Sequence, residues 1–236
     1  MKEFVLDIHT HSLASGHAYG TIREMAAAAA EAGLQLLGLA EHGPAIPGAV
    51  HPFYFTNLGV IPKSLYGVQI MHGCEADVLA GGEMDMEERY LRHLDYIIVG
   101  IHSQCYENEG EQGNTDNVIA CMKHEKVFFV SHPDDSNMPL DYDRLVRAAK
   151  EYHVALEVNN SSFRKLHLRG DVLGNYRKML QLCQCYRVPI IVNTDAHDPS
   201  AVGDFELARA FLQEMDFDED LILNTDVGKF MQFIGK

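Results

Sequence analysis

The 236-residue chain reads as an α/β protein whose parallel sheet is closed, or nearly closed, into a barrel. Three observations predict this. Apolar runs of strand length alternate with segments of helical period, seven times over. The runs are continuous and do not alternate apolar with polar, so both faces of the sheet are covered. Residues able to bind metals collect at the ends of those runs, where parallel α/β folds place their sites.

The strands are expected at residues 4–9, 35–41, 68–75, 95–102, 127–132, 155–159 and 189–195. Helices are expected between them at 21–32, 87–93, 114–124, 142–152 and 172–186, with two more near 204–215 and 226–234. The first helix is the best marked. Thr21 with Glu24 three residues on is a capping-box pattern before an alanine-rich run, and Gly33 supplies the stop. No internal repeat, low-complexity tract or linker divides the chain, so a single domain over 1–236 is expected. The longest irregular piece, 43–67, is rich in Pro and aromatics (Pro44, Pro47, Pro52, Phe53, Tyr54, Phe55). A loop of that length in a compact domain is usually a lid or pocket wall.

Composition narrows the function. Apolar residues make up 47% of the chain, enough for a full core. The balance of 19 Lys plus Arg against 34 Asp plus Glu gives a formal charge of -15, which disfavours a nucleic-acid partner. Bound divalent ions would soften that repulsion locally. The N-terminus does not read as a signal peptide, and no stretch approaches the ~20 apolar residues that span a bilayer. Five scattered cysteines (Cys74, Cys105, Cys121, Cys183, Cys185) fit a reduced, cytoplasmic protein.

The chemistry is carried by the strand ends. His9 and His11 close the first strand, His42 follows the second, Glu75 ends the third and His102 the fourth. His132 ends the fifth, and Asp195 with His197 the seventh. Residues two apart on a strand face the same side, so His9/His11 and Asp195/His197 are pairs able to grip one ion. With His17 in the first loop there are nine candidate ligands, too many for one tetrahedral ion. Imidazole and carboxylate together suit zinc, manganese or iron. His72, His93, His124, His153 and His167 read as ordinary polar residues.

The motifs Asp7-Ile-His9-Thr-His11-Ser, Glu41-His42-Gly-Pro, Gly73-Cys-Glu75, Gly100-Ile-His102, Ser131-His132-Pro and Thr194-Asp195-Ala-His197 resemble those of the PHP (polymerase and histidinol phosphatase) family. The likeness is strongest to its small stand-alone phosphatases of the YcdX type. It runs motif by motif along the whole chain and includes Glu157-Val-Asn159-Asn160-Ser161-Ser162-Phe163 and Gly203-Asp-Phe205-Glu206. The resemblance implies a distorted seven-stranded (β/α)7 barrel of TIM-barrel type with three divalent metals, zinc first and manganese or iron as alternatives. His9, His11, Glu75 and Asp195 would hold the first ion. Glu75, His102 and His132 would hold the second, and His17, His42 and His197 the third. It also implies a small phosphorylated substrate, no membrane partner and a homotrimer. Glu41 stands where members carry Asp; if this carboxylate orients His42, the extra methylene alters the third position.

The expected activity is hydrolysis of phosphate monoesters by a metal-activated hydroxide, with turnover depending most on Glu75, His132 and Asp195. Asp7 either bonds a ligand imidazole or is a satisfied structural charge. The stretch 164–169, with Arg164, Lys165, His167 and Arg169, either meets a phosphate or is a solvated face. Three other functions compete with this one. An amidohydrolase-like C–N hydrolase would need a bridging lysine where the fourth strand ends in His102. A phosphodiesterase or nuclease would want a basic groove. A non-catalytic metal-binding regulatory module would be expected to have lost some of its ligands.

Overall fold

The computed structural model describes residues 1–235. Seven parallel strands run in sequence order around a nearly closed barrel: β1 (Leu6–Thr10), β2 (Leu36–His42), β4 (Val68–Asp77), β5 (Tyr96–Gly100), β6 (Val127–Val130), β7 (Ala155–Asn159) and β8 (Ile190–Asn193). A two-residue strand, β3 (Ser64–Leu65), pairs antiparallel with the start of β4. The helices are α1 (Ile22–Glu31), α2 (Glu88–Leu91), α3 (Gly110–Cys121), α4 (Tyr142–Tyr152), α5 (Leu166–Arg169), α6 (Val172–Tyr186), α7 (Glu206–Glu214) and α8 (Val227–Phe233). Among the described residues no helix is long and apolar enough to cross a membrane.

α1 begins as its sequence predicts. Thr21 accepts from the Glu24 amide, and Glu24 accepts from the Thr21 amide at 2.8 Å. The chain leaves the helix through Gly33 at φ +76. The segment 43–67, expected to be irregular, is partly regular. Pro52–Val60 forms a 3-10 helix with His51 as its cap. Phe55 and Leu58, three apart, share one side of such a helix, and both are buried. The segment still braces the upper barrel, because the Tyr54 hydroxyl lies beside Ser12 and Glu41.

Alternation along the strands builds the barrel interior in layers. Leu6, Ile8, Leu36, Met71, Tyr96, Phe129, Ala155 and Ile191 form its apolar floor, closed below by Leu223 and Phe230. Tyr96 fills the centre. A Cβ on Gly38 would lie 2.2 Å from its hydroxyl, and one on Gly73 2.5 Å from its ring, so both neighbours must be glycine. Its hydroxyl donates to the Ile8 carbonyl at 2.7 Å. Continuing the same inward rows upward gives His42, Glu75, Asp77, Glu157, Asn193 and Asp195. In β1 the register slips between Asp7 and Thr10. That irregularity lets His9, next to the inward Ile8, face the barrel as well.

Candidate metal centre

All nine expected ligands gather at the carboxyl ends of the strands. Glu75 is at the middle, fully buried. Its Oε1 accepts from the Ser131 hydroxyl at 2.7 Å and faces His132 Nε2 at 3.0 Å and His102 Nε2 at 3.4 Å. Its Oε2 faces His9 Nε2 at 3.1 Å, His42 Nδ1 at 3.2 Å and His11 Nε2 at 3.5 Å. Asp195 Oδ1 lies 3.3 Å from His11 Nε2 and 3.7 Å from His9 Nε2. At the rim, His17 Nε2 and His197 Nε2 stand 3.0 Å apart. Three ligand sets bring their donor atoms within 4.8 Å of one another: His9–His11–Asp195, His42–Glu75–His102 and His11–His42–His197.

The donor set fits cations. His9 Nε2, His11 Nε2, His42 Nδ1 and Glu75 Oε2 are buried, lie close together and make no hydrogen bond. Buried polar atoms left this way cost free energy unless something satisfies them, and lone pairs converging on one point are satisfied by a metal ion. The electrostatics agree. Burial and the nearby His197 push His11 down to about 4, so its imidazole is neutral at pH 7. Burial and His11 likewise push His42 well below the usual histidine range. For His9, burial opposes charge, but Glu157, Glu75 and Asp195 outweigh it and hold the ring well above that range. For His102, burial is outweighed by Glu75 and Asp77, which bring it to about 10. Glu75 and Asp195 stay ionised against burial, chiefly through His9. Anionic oxygens thus favour positive charge at these points, and neutral nitrogens adjoin them.

Further carboxylates orient the rings. Glu157 Oε1 lies 2.7 Å from His9 Nδ1, while its Oε2 accepts from the His132 amide at 2.7 Å. Asp77 Oδ1 lies 2.5 Å from His102 Nδ1. Neither Asp77 nor Glu157 stands out when ligands alone are counted. Both share the inward rows of their strands, Asp77 two residues past Glu75. His132 (φ 27) and Asp195 (φ 53) adopt left-handed backbone conformations. Such strain in non-glycine residues persists where surrounding contacts hold it, and here the Glu157 bond to the His132 amide does so.

Other expectations resolve differently. Asp7 does not reach His9; it accepts from Thr194 Oγ1 at 2.6 Å and from the Thr194 and Gly203 amides. Burial pushes its carboxyl up to about 6 against those bonds, so it is a satisfied structural charge. Glu41 does not touch the His42 ring. Its longer side chain turns to Ser12 and Ser15, whose hydroxyls donate to it at 2.5 and 2.6 Å. The 164–169 stretch divides. Lys165 Nζ comes 3.8 Å from Asp195 Oδ2 at the mouth, Arg164 pairs with Asp204, and Arg169 is held inside against Ser162 and Asp134. A cavity of about 420 Å³ opens beside the cluster, lined by His17, Ser161, Lys165, Asp195, His197 and Asp198 among others.

Comparison with known proteins defines the class. The profile described as PHP domain matches residues 7–168, and the chain belongs to the PHP family. A probable phosphatase of Clostridium acetobutylicum is 36% identical over 236 residues, covering 98% of this chain and 95% of the relative. One from Acetivibrio thermocellus is 39% identical over 233 residues, with the same coverage of each. Among solved structures, histidinol phosphate phosphatase from Lactococcus lactis, complexed with zinc, L-histidinol and phosphate, superposes with a TM-score of 0.63. It is 18% identical, and the match covers 90% of this chain and 94% of that one. A chain of an archaeal ribonuclease P bound to mature tRNA gives a TM-score of 0.63 at 15% identity, covering 98% of this chain and 90% of its own. These two structures share the barrel.

Proposed function

We propose that this protein is a metal-dependent phosphatase that hydrolyses phosphate monoesters at a centre of three divalent cations, with zinc the first choice and manganese or iron alternatives. The observation that carries the reading is Glu75, whose two oxygens face two separate nests of imidazoles, as a carboxylate bridging two ions would. The phosphatase assignment of full-length relatives supports the same chemistry. His9, His11, Glu75 and Asp195 would hold one ion, Glu75, His102 and His132 a second, and His17, His42 and His197 the third.

When bound, such cations neutralise phosphoryl oxygens and lower the pKa of water from 15.7 toward ~7. The chain's own groups do the rest. Glu157 and Asp77 hold the His9 and His102 rings in place. Lys165, half-exposed beside Asp195, offers a cation to an anionic substrate at the mouth. The adjoining cavity has room for a small polar leaving group. The net charge of -15 repels a long polyanion, which favours a small phosphorylated substrate.

Purified protein is expected to contain at least two transition-metal equivalents by elemental analysis. It should turn over p-nitrophenyl phosphate, lose that activity on chelation and regain it with zinc or manganese. Full activity in a sample shown to be metal-free would overturn the proposal.

A further inference from the structure

Ser15 ends the single 3-10 turn (Leu13–Ser15) that follows β1, with its side chain fully buried. Its Oγ donates to Glu41 Oε2 at 2.6 Å, receives the His42 amide at 3.1 Å and lies 3.0 Å from His11 Nδ1. A hydroxyl has one proton and two lone pairs. The proton goes to Glu41, because a carboxylate that also collects the Ser12 amide and the Ser12 hydroxyl is an acceptor. One lone pair takes the His42 amide. The other requires a proton on His11 Nδ1, which leaves Nε2 as the nitrogen with the free lone pair. That atom is the one facing Asp195 and Glu75.

We propose that Ser15, anchored by Glu41, is a positioning residue that fixes the tautomer of His11 and the backbone of His42 together, coupling two metal-binding positions through one hydroxyl. The inference rests on the cluster's being a metal centre. The hydroxyl suits this place for a physical reason. His9 and His102 are oriented directly by carboxylates, which favour a protonated ring as well as directing it. His11 stacks on His42 and packs against a tilted His197, with ring centroids 4.3 Å from each. An imidazolium there would crowd its neighbours. A serine relay sets the same direction without drawing a second proton onto the ring.

Histidine ¹⁵N NMR of the wild-type protein, stripped of metal, should find His11 protonated at Nδ1 and bare at Nε2; the opposite tautomer would overturn the inference without needing any variant. Zinc titration against a chromophoric chelator should then find Ser15→Ala weaker by roughly 10–100-fold, the usual cost of losing a ligand's supporting partner, for two of the bound ions together. Unchanged affinity, or a loss confined to one ion, would also overturn it. Zinc binding by wild type with the wrong His11 tautomer defeats this inference alone. A wild type that takes up no zinc defeats the metal-centre reading and this inference with it.

Discussion

Glu75→Gln is expected to reduce kcat/KM for p-nitrophenyl phosphate by roughly 10³-fold or more, equivalent to ~4 kcal/mol of transition-state stabilisation. The substitution preserves volume, and its amide oxygen can still accept from Ser131. What it removes is the charge between two nests. Its NH₂ group would point at nitrogens whose lone pairs are needed for cations, on whichever side it is placed. Two ion positions should therefore weaken together, and elemental analysis should show the loss of more than one equivalent. The fold should survive. Glu75 sits above the apolar floor, and β4 keeps its backbone ladders to β2 and β5. An unchanged circular dichroism spectrum with wild-type metal content and wild-type turnover would refute the bridging role.

Much of this architecture is legible in the sequence because the barrel repeats one physical rule. β7, α4 and α6 begin and end where their apolar runs and caps predict. The misplaced boundaries are instructive. β6 stops at Val130 and β8 at Asn193, short of the ligands expected to end them. His132 and Asp195 have left-handed backbones and so cannot continue a strand. A strand pattern alone carries no sign of that turn. β4, by contrast, runs on to Asp77, and the two-residue spacing that marks His9 and His11 marks Glu75 and Asp77 equally well. Glu157 obeys the same spacing with Asn159. The Glu41–Ser15–His11 chain is a different case. It depends on the course of residues 12–16, which closes through Gly16 at φ +83, where an added Cβ would strike the Gly48 carbonyl. Periodicity gives no information about a contact made by a loop folding back on itself. Reading Glu41 as a partner for the adjacent His42 assumed nearness in sequence, and its extra methylene directs it elsewhere.

The second large effect concerns closure, since β1 and β8 share no continuous ladder. Between them there is one bridge, Thr10 to Ala196, and the rest is done by side chains and by the 222–224 backbone, which bridges Ile222 to Ile190 and accepts the Val5 amide at the Asn224 carbonyl. Asn193 Oδ1 accepts from the Ile8 amide at 3.0 Å, and Asp7 holds Thr194. Lower down, fully buried Asn224 takes the place of a strand: its Oδ1 accepts from the Val192 amide at 2.7 Å, and its Nδ2 donates to the Leu6 carbonyl at 3.0 Å and the Val192 carbonyl at 2.5 Å. One amide thus links both edges of the barrel. Asn224→Ala would remove three hydrogen bonds and leave buried backbone groups unpaired, at a cost of ~1–3 kcal/mol for each orphaned group and ~4 kcal/mol in all. At 2–4 °C per kcal/mol for a chain of this size, the melting temperature should fall by roughly 10 °C. The comparison belongs in metal-stripped protein, because bound zinc would raise both melting temperatures by mass action and hide part of the difference. Asn224→Asp keeps the acceptor for Val192 but sets a buried carboxylate oxygen against the Leu6 and Val192 carbonyls, so at neutral pH it should melt no higher than alanine. A drop of less than ~2 °C for alanine would mean that the Thr10 bridge and Asn193 close the barrel without Asn224.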